Sequence, residues 1–598
     1  MYKRQLKRDV GLFGSFAMGY ADVGADVFIS LGLVAAYAAG ASPLAFALAA
    51  VAYVTTGLVY AELSSTYPHA GGAQVFAARG LNDPLSFAAG WMLLLTYTVN
   101  IALFAMASAG YLSRLVPAVS SQVSAGPLEL SGIQLTALLM TLGLTAVNVK
   151  GIRESSALNE AAVTLGLAVQ TILLALGLTS LDPSRLVSQL AEFGSPEAGM
   201  ASYLPWGEVR VQNFLYGTTL AMCSFIGIES IAQAAEEIKK PHRWIPRATV
   251  FSVLAVLVYT IGLCLVGLGT VGWRGLAERL ESPLSAVAER LPGGTLLTPV
   301  VSLAGFAVNL VSANTGVVGV SRVVYSMGKF GLMPRWFSAV HPRFRTPVRT
   351  VVVFGLIGAL MTLLGGIEEA ADVYAFGALL SYVLVNASAI LIRRRDRRAY
   401  RPWKTPLNLS LGDWELPLVA VAGLASCSAM WALILLLHPV GRGMGTLWLA
   451  VGALVYAGYR RAVGLPILGR VSGEGVRPAA YLMDACALYL GDVPPREFGR
   501  AVSDALDPRF RVRLVAPLPR GAGAAEEAEV LREALEEAAS LVRGARVVEV
   551  RVEPGDPEEV AVREAELADL ILLVTADRRL ARRISSALPG RVSVVGRW

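Results

Sequence analysis

Charge is scarce in this chain: 16% of its 598 residues are Asp, Glu, Lys or Arg, while 55% are hydrophobic. Mean hydropathy is +0.55. So little charge cannot cover the surface of a soluble protein of this length, and most of the chain must lie in a membrane. Cysteine is scarce too. Cys223, Cys264 and Cys427 fall in apolar runs, Cys486 lies near the C-terminus, and no CxxC or CxxxC spacing occurs, which argues against a disulfide framework or a metal knuckle. The four histidines, His69, His242, His341 and His438, lie in loops or at the ends of apolar runs, which leaves a central proton relay to carboxylates. With no nucleophile–base pair, metal cluster or phosphate loop legible, a metabolic enzyme is not expected.

Long apolar runs are what the chain has instead. They occupy about 12–39, 43–64, 85–113, 131–149, 157–179, 208–235, 247–272, 296–327, 348–365, 370–392, 415–437 and 443–459, each able as a helix to cross roughly 30 Å of hydrocarbon. This predicts an all-α polytopic membrane part of twelve helices over residues 1–465. The first run is too long for a cleaved signal peptide and lacks an A-x-A-like exit. With a cytoplasmic N-terminus the inside segments up to residue 461 carry 25 Lys and Arg, and the outside segments seven. The positive-inside rule therefore places both termini in the cytoplasm of a multi-pass cell-membrane protein. The net charge of +7 reports this topology, and the basic run 393–404 directly follows a span, so no nucleic-acid partner is expected.

Composition changes after about residue 465, and residues 466–598 read as a soluble cytoplasmic domain. RVRLVAPLP (511–519), VVEVRVEP (547–554), DLILLVTA (569–576) and RVSVVG (591–596) have the pattern of strands, and 524–542 and 556–568 that of amphipathic helices. Their alternation predicts an α/β domain with a parallel sheet.

Within the membrane part, two groups of five spans, about 12–179 and 208–392, precede two extra helices at 415–459. An odd number per group predicts halves that face the bilayer in opposite directions. In each, glycine sits beside acid in the leading span: Gly19 and Gly24 with Asp22 and Asp26 in GYADVGADVF, and Gly227 with Glu229 in SFIGIESIAQ. Paired interruptions at matching positions predict broken helices and a midplane site between inverted repeats. Carboxylates near the bilayer centre cost roughly 2.5–3.5 kcal/mol each even on the mildest scale, so packing alone does not account for them.

GIESIAQAAEEIKKPHRWIPRA (227–248) resembles the pattern of the amino acid-polyamine-organocation transporters, a Gly-x-Glu in a broken helix followed by Ala-Glu-Glu, a proline and Ile-Pro-Arg-Ala. YPHAGGAQVFAARGLNDPLSFAAGW (67–91), NVKGIRES (148–155), SRVVYSMGKFGLMPRWFSAVHPRFRTPV (321–348) and YRPWKTP (400–406) resemble other loops of that family, in order. The resemblance implies a five-plus-five inverted repeat with two peripheral helices, alternating access, and a substrate site at the breaks in spans one and six. In relatives that carry amino acids, a Gly-Ser-Gly-like break in span one receives the substrate carboxylate; here the corresponding residues look like Val23-Gly24-Ala25-Asp26. A carboxylate there would repel an incoming one, which turns the expectation toward a cationic solute. GDPEEVAVREAELADLILLVTA (555–576) resembles the closing helix and strand of universal-stress-protein domains, but the Gly-x-x-Gly and Gly-Ser of their ATP-binding members are absent, so no cofactor is expected. Arg578, Arg579, Arg582 and Arg583 read foremost as a solvated helix face, and the tail as a regulatory or dimerising element.

Asp22 and Asp26 would share one face if helical, and two like charges so close in a low dielectric cannot both stay ionised without a cation or a donor between them. The expected substrate or cation site is thus Asp22, Val23, Gly24, Ala25, Asp26, Tyr97, Phe225, Gly227 and Glu229. Asp22, Ser312, Asn314 and Thr315 form a candidate sodium site, while Gly166 stands where some proton-driven relatives place a lysine. Glu62, Glu160 and Asp372, toward span ends, are expected to snorkel or to line a pore rim. The expected function is secondary active transport of small amine-bearing solutes, amino acids or polyamines with a bias to cationic ones, coupled to H⁺ or Na⁺. The alternatives are a potassium or other inorganic cation symporter and a membrane ligand sensor signalling through the tail.

Overall fold

The computed structural model describes residues 10–125, 128–150, 155–339, 341, 346–397, 399–478, 483–506, 510–518, 524–543, 545–588 and 592–595. It falls into two compact units, Met1–Pro478 and Ala479–Trp598.

The first unit is a bundle of apolar helices. α1 (Leu12–Ala38), α2 (Ser42–Thr66), α3 (Asp83–Ser113), α4 (Gly132–Lys150) and α5 (Ser155–Ser180) lead to a span in two pieces, α6 (Val209–Leu220) and α7 (Glu229–Gln233). α8 (Pro241–Thr270), α9 (Gly294–Lys329), α10 (Val348–Leu364), α11 (Ile367–Arg395), α12 (Leu418–Leu437) and α13 (Pro439–Ala462) follow. Among the described residues, eleven helices are long and apolar enough to cross a bilayer, with 209–233 taken as one, and α10 is a shorter apolar helix of 17 residues. α1 and α3 are almost wholly enclosed by other helices, as their all-round apolar sequence requires, while α4 and α13 turn Leu139, Val147, Leu447 and Leu454 outward. A helix that offers leucine to its surroundings needs lipid there.

Glu62, expected to snorkel or to line a pore rim, does not snorkel, and Asp83 at another span end is buried as well. Glu62, at the end of α2, is buried and accepts from Arg393 Nε (2.5 Å) and Nη2 (2.7 Å) and from the Thr405 amide (2.8 Å). Arg393 reaches on to Glu415 at 2.7 Å, so this carboxylate joins α2 and α11 to the segment that enters α12. Asp83, in the first turn of α3, accepts from Arg460 Nη2 of α13 (2.5 Å) and from the amides of Val471 and Ser472 (3.0 Å each). Those last contacts lie within the first compact unit, which runs to Pro478. The composition changes near residue 465, but the chain to residue 478 packs with the membrane unit because Asp83 caps it.

The second unit is a parallel sheet of five strands, β1 (Met483–Tyr489), β2 (Phe510–Leu518), β3 (Arg546–Pro554), β4 (Leu570–Val574) and β5 (Val592–Val595), in the order β3-β2-β1-β4-β5. The helices α14 (Pro495–Ala505), α15 (Ala524–Leu541), α16 (Pro557–Leu567) and α17 (Arg578–Ala587) connect them. Both faces carry an apolar layer, Ala487, Leu514 and Leu572 on one and Cys486, Val515 and Ile571 on the other. The central strand β1, which the alternation of strand and helix had not announced, has hydrogen-bonded neighbours on both sides.

Asp83 and Arg460 are both completely buried. Removing one charge of such a pair strands the other, at a cost of about 3–5 kcal/mol. Asp83→Asn is therefore expected to lower the unfolding midpoint of the purified protein by several degrees, followed by intrinsic tryptophan fluorescence, whereas Asp413→Asn, at an exposed ion pair, is expected to leave it unchanged.

Candidate functional site

The broken span builds the site. α6 tightens into a 3-10 turn at Ala221–Phe225, Ile226 is extended (φ −99°, ψ 131°), and Gly227 takes φ +134° before α7 begins. Only glycine occupies that conformation without strain. Space also demands it, since a Cβ on Gly227 would lie 2.7 Å from the Cβ of Asp22 and 3.0 Å from Cγ2 of Val23. The break therefore presses directly on α1 at Asp22. Glu229 folds back so that the Gly227 amide donates to its Oε2 (3.1 Å), and Tyr382 Oη of α11 donates to the same oxygen (2.7 Å).

The first span is not broken. α1 runs as one helix from Leu12 to Ala38 through Gly19 and Gly24, so the amides of Val23, Gly24 and Ala25 are spent in the helical ladder, and Asp26 caps no half-helix. The glycines serve close packing: the ring of Tyr20 covers Gly24, and the side chain of Ile231 fills the space above Gly19. Gly24 and Ala25 line a small crevice with Ala162, Val163, Gly166 and Val308, on the side of α1 toward α5 and α9. The Gly24 carbonyl accepts from Gln170 Nε2 (2.7 Å).

Asp22 and Asp26, one helical turn apart, are both buried. Asp22 collects three hydroxyl donors: Ser230 Oγ on Oδ2 (3.0 Å), Ser312 Oγ on Oδ1 (3.0 Å), and Thr315 Oγ1 on Oδ1. Two of the oxygens expected for a cation thus meet at Asp22. Asn314 does not join them, because its Oδ1 accepts from Asn148 Nδ2 of α4 at 2.7 Å. Tyr97 stands one step further out, its hydroxyl accepting from Gln233 Nε2 (2.7 Å) and lying 3.4 Å from Ser230 Oγ. Phe225 is buried against the ring of Tyr53, 5.0 Å between centroids.

Among the described residues, two carboxylate oxygens here, Asp26 Oδ2 and Glu229 Oε1, are buried with no hydrogen-bond donor. Both acids lie within electrostatic reach of each other and of Asp22. Leaving such oxygens bare is costly in a folded protein, and the cost is recovered when a donor arrives, whether a cationic group, a proton or a water. From Ser230 and Thr315 a cavity of about 30 Å³ runs past Gln233 and Asn314 to Arg322, which pairs with Glu237 at 3.0 Å. It has room for about two waters at ~10–15 Å³ each and none for an amino acid. Ser230, Gln233 and Tyr382 were not anticipated. The first two follow Glu229 on the same short helix, a signal present in the sequence, but Tyr382 lies 153 residues away. No group of three or more His, Cys, Asp or Glu able to hold a metal ion occurs among the described residues.

In the second unit Arg578, Arg579, Arg582 and Arg583 lie on α17, where Arg583 pairs with Glu558 (2.5 Å). Arg578 and Arg582 border an open hollow of about 630 Å³ with Ser585 and Ser586.

Residues 10–458 match the family model described as amino acid permease. An uncharacterized transporter of Mycobacterium tuberculosis is 30% identical over 464 residues, 77% of this chain and 92% of the relative. The "Branched-chain amino acid permease BcaP" of Bacillus subtilis is 25% identical over 77% of this chain and 94% of its own. The "Cationic amino acid transporter 9, chloroplastic" of Arabidopsis thaliana is 27% identical over 79% of this chain and 81% of its own. A helix broken at Gly227, a buried acidic site against it and a bundle that needs lipid around it thus come together with a family match over three quarters of the sequence: the chain belongs to the amino acid permease family, membrane transporters of the amino acid-polyamine-organocation superfamily.

Proposed function

We propose that the chain carries small amine-bearing solutes of the amino acid or polyamine class, with a bias to cationic ones, by alternating access between inverted halves, coupled to H⁺ or Na⁺. The observation that carries this reading is the pair of bare carboxylate oxygens, Asp26 Oδ2 and Glu229 Oε1, beside the hydroxyl-bonded Asp22. An ammonium group supplies donors and opposite charge to both at once. A substrate carboxylate has little to bind: the amides of 23–25 are helical, and that of Gly227 is taken by Glu229. In this reading Asp22, Asp26 and Glu229 hold the cationic end, Tyr97 and Gln233 guard the way along the small cavity, and Phe225 closes the opposite side. Ser312 and Thr315 offer Asp22 to sodium when their hydroxyls turn. Both termini are cytoplasmic, and the tail, a universal-stress-protein-like domain with no ATP-binding glycines, regulates or dimerises.

Uptake into vesicles reconstituted with the purified full chain tests this. Lysine and putrescine are expected to be accumulated and to compete with one another. Glu229→Gln is expected to weaken lysine uptake by about 30-fold or more, the ~2 kcal/mol that a desolvated charge partner is worth. Uptake of leucine in preference to lysine would refute the cationic bias. Uptake of K⁺ with no amine competing would establish the inorganic cation symporter instead, and saturable binding without flux a sensor.

Gly227→Ala combines a disfavoured φ with a clash against Asp22. It is expected to abolish lysine uptake while leaving the protein folded and monodisperse on size exclusion, because the strain is confined to three residues.

A further inference from the structure

A second buried acid lies away from the site, at the end of the bundle opposite the N-terminus. Asp372 of α11 and His438, at the junction of α12 and α13, are both completely enclosed. Their Oδ1 and Nδ1 atoms are 2.6 Å apart. Tyr216 Oη of α6 donates to the same Oδ1 (2.9 Å), and its ring lies flat on the imidazole, 3.9 Å between centroids. His438 Nε2 meets Thr219 Oγ1 of α6 at 2.5 Å. Of the two expectations for Asp372, snorkelling or a pore rim, its complete burial rules out the first, and His438 lies at a span end yet out of reach of solvent.

The hydrogens decide what this cluster does. Thr219 has one hydroxyl proton, and the carbonyl of Tyr216 lies 2.7 Å from its oxygen, positioned to accept it. With that bond made, Nε2 must donate to Thr219. A neutral imidazole would then turn the bare lone pair of Nδ1 onto a carboxylate at 2.6 Å, which is repulsive. One additional proton, on Nδ1, resolves this and gives an imidazolium beside a carboxylate under an aromatic face that favours a cation. When the proton leaves, it leaves from Nε2: the Thr219 hydroxyl swings to donate to that nitrogen, and the N–H on Nδ1 keeps its bond to Asp372. One proton thus enters or leaves at the cost of one hydroxyl rotation, and both states are hydrogen-bonded.

We propose that Asp372 and His438 form a proton-binding site whose loading turns the hydrogen-bonded contact joining α6, α11 and the α12–α13 junction into an ion pair, and so tightens the clamp between them. The other titratable groups facing it are Tyr37 of α1, its ring tilted against that of Tyr216 (4.3 Å between centroids) and its hydroxyl bonded to Glu368; Glu368 itself, one turn before Asp372; and Cys223, whose thiol donates to Ala371 O (3.5 Å). Arg442, one turn into α13, spends its guanidinium on the carbonyls of Leu435 and Leu436. The same elements form the acidic site, α6 through the break it leads into and α11 through Tyr382, so the proton would govern access to it. This deepens the transport reading and rests on it for the coupling alone, since binding of the proton needs no solute.

The test uses the full chain in lipid nanodiscs with ¹⁵N-labelled histidine. Four histidines are present, and His438 is assigned by subtraction with His69→Gln, His242→Gln and His341→Gln, none of which disturbs the cluster. Its ring nitrogens are expected to pass from the doubly protonated to the neutral pattern once between about pH 5 and pH 9, and Asp372→Asn to abolish or displace that transition by about one pH unit or more. One unchanging protonation state of His438 over this range overturns the proposal. In vesicles, the ratio of lysine uptake at acidic to alkaline pH is expected to fall to about 1 in Asp372→Asn while lysine–lysine exchange persists. An unaltered ratio, with the transition present, overturns the clamp. Absence of lysine uptake by the wild type with the transition present counts against the solute reading only.

Discussion

A carboxylate inside hydrocarbon has no water to turn to, and this bundle is arranged around what each buried acid finds instead. Asp22 finds hydroxyls from two different elements, Ser230 on the short helix after the break and Ser312 and Thr315 on α9. Glu229 finds a backbone amide that exists only because the span unwinds at Gly227. Glu62 and Asp83 find arginines and bind the peripheral chain to the bundle. Asp26 and Glu229 each keep one free oxygen beside Asp22, and Asp372 keeps one in its own cluster with His438. The acids that join peripheral segments to the bundle, Glu62 and Asp83, are satisfied by arginine and backbone amides, as the expense of leaving a charge bare at membrane depth requires.

Much of this was legible in the residues. The apolar runs located the helices, because the length needed to span a bilayer is fixed by its thickness. Acid beside glycine pointed to the buried acidic cluster, because neither belongs in an oily helix without a reason. The reasons differ between the two spans. At Gly227 the glycine serves a positive φ, and the helix ends there. At Gly24 it makes room for the ring of Tyr20, and the helix continues. Sequence cannot separate a glycine needed for torsion from one needed for space, since both lack the same atom.

Side-chain partners across the fold were not legible. Nothing local pairs Tyr382 with Glu229, or Asn148 with Asn314, and the latter pairing takes Asn314 away from Asp22. His438 sits beside a proline at a span end, which reads as a loop until α6 and α11 close over it. The reading of Asp372 as a snorkelling residue failed for the same cause. Distance from the end of a helix says little when another helix covers that end. In the second unit the central strand escaped because MDACALY carries small residues where the other strands carry valine and leucine.

The unbroken first helix has a mechanical meaning. A hinged helix lets its two halves tilt independently, but 27 residues of continuous α-helix form a rod of about 40 Å. Tyr37 lies four turns from Asp22 on that rod and touches the cluster around Asp372. A displacement of one end of so stiff a rod is carried to the other, so the contact with Gly227 and the cluster around Asp372 are joined mechanically through α1.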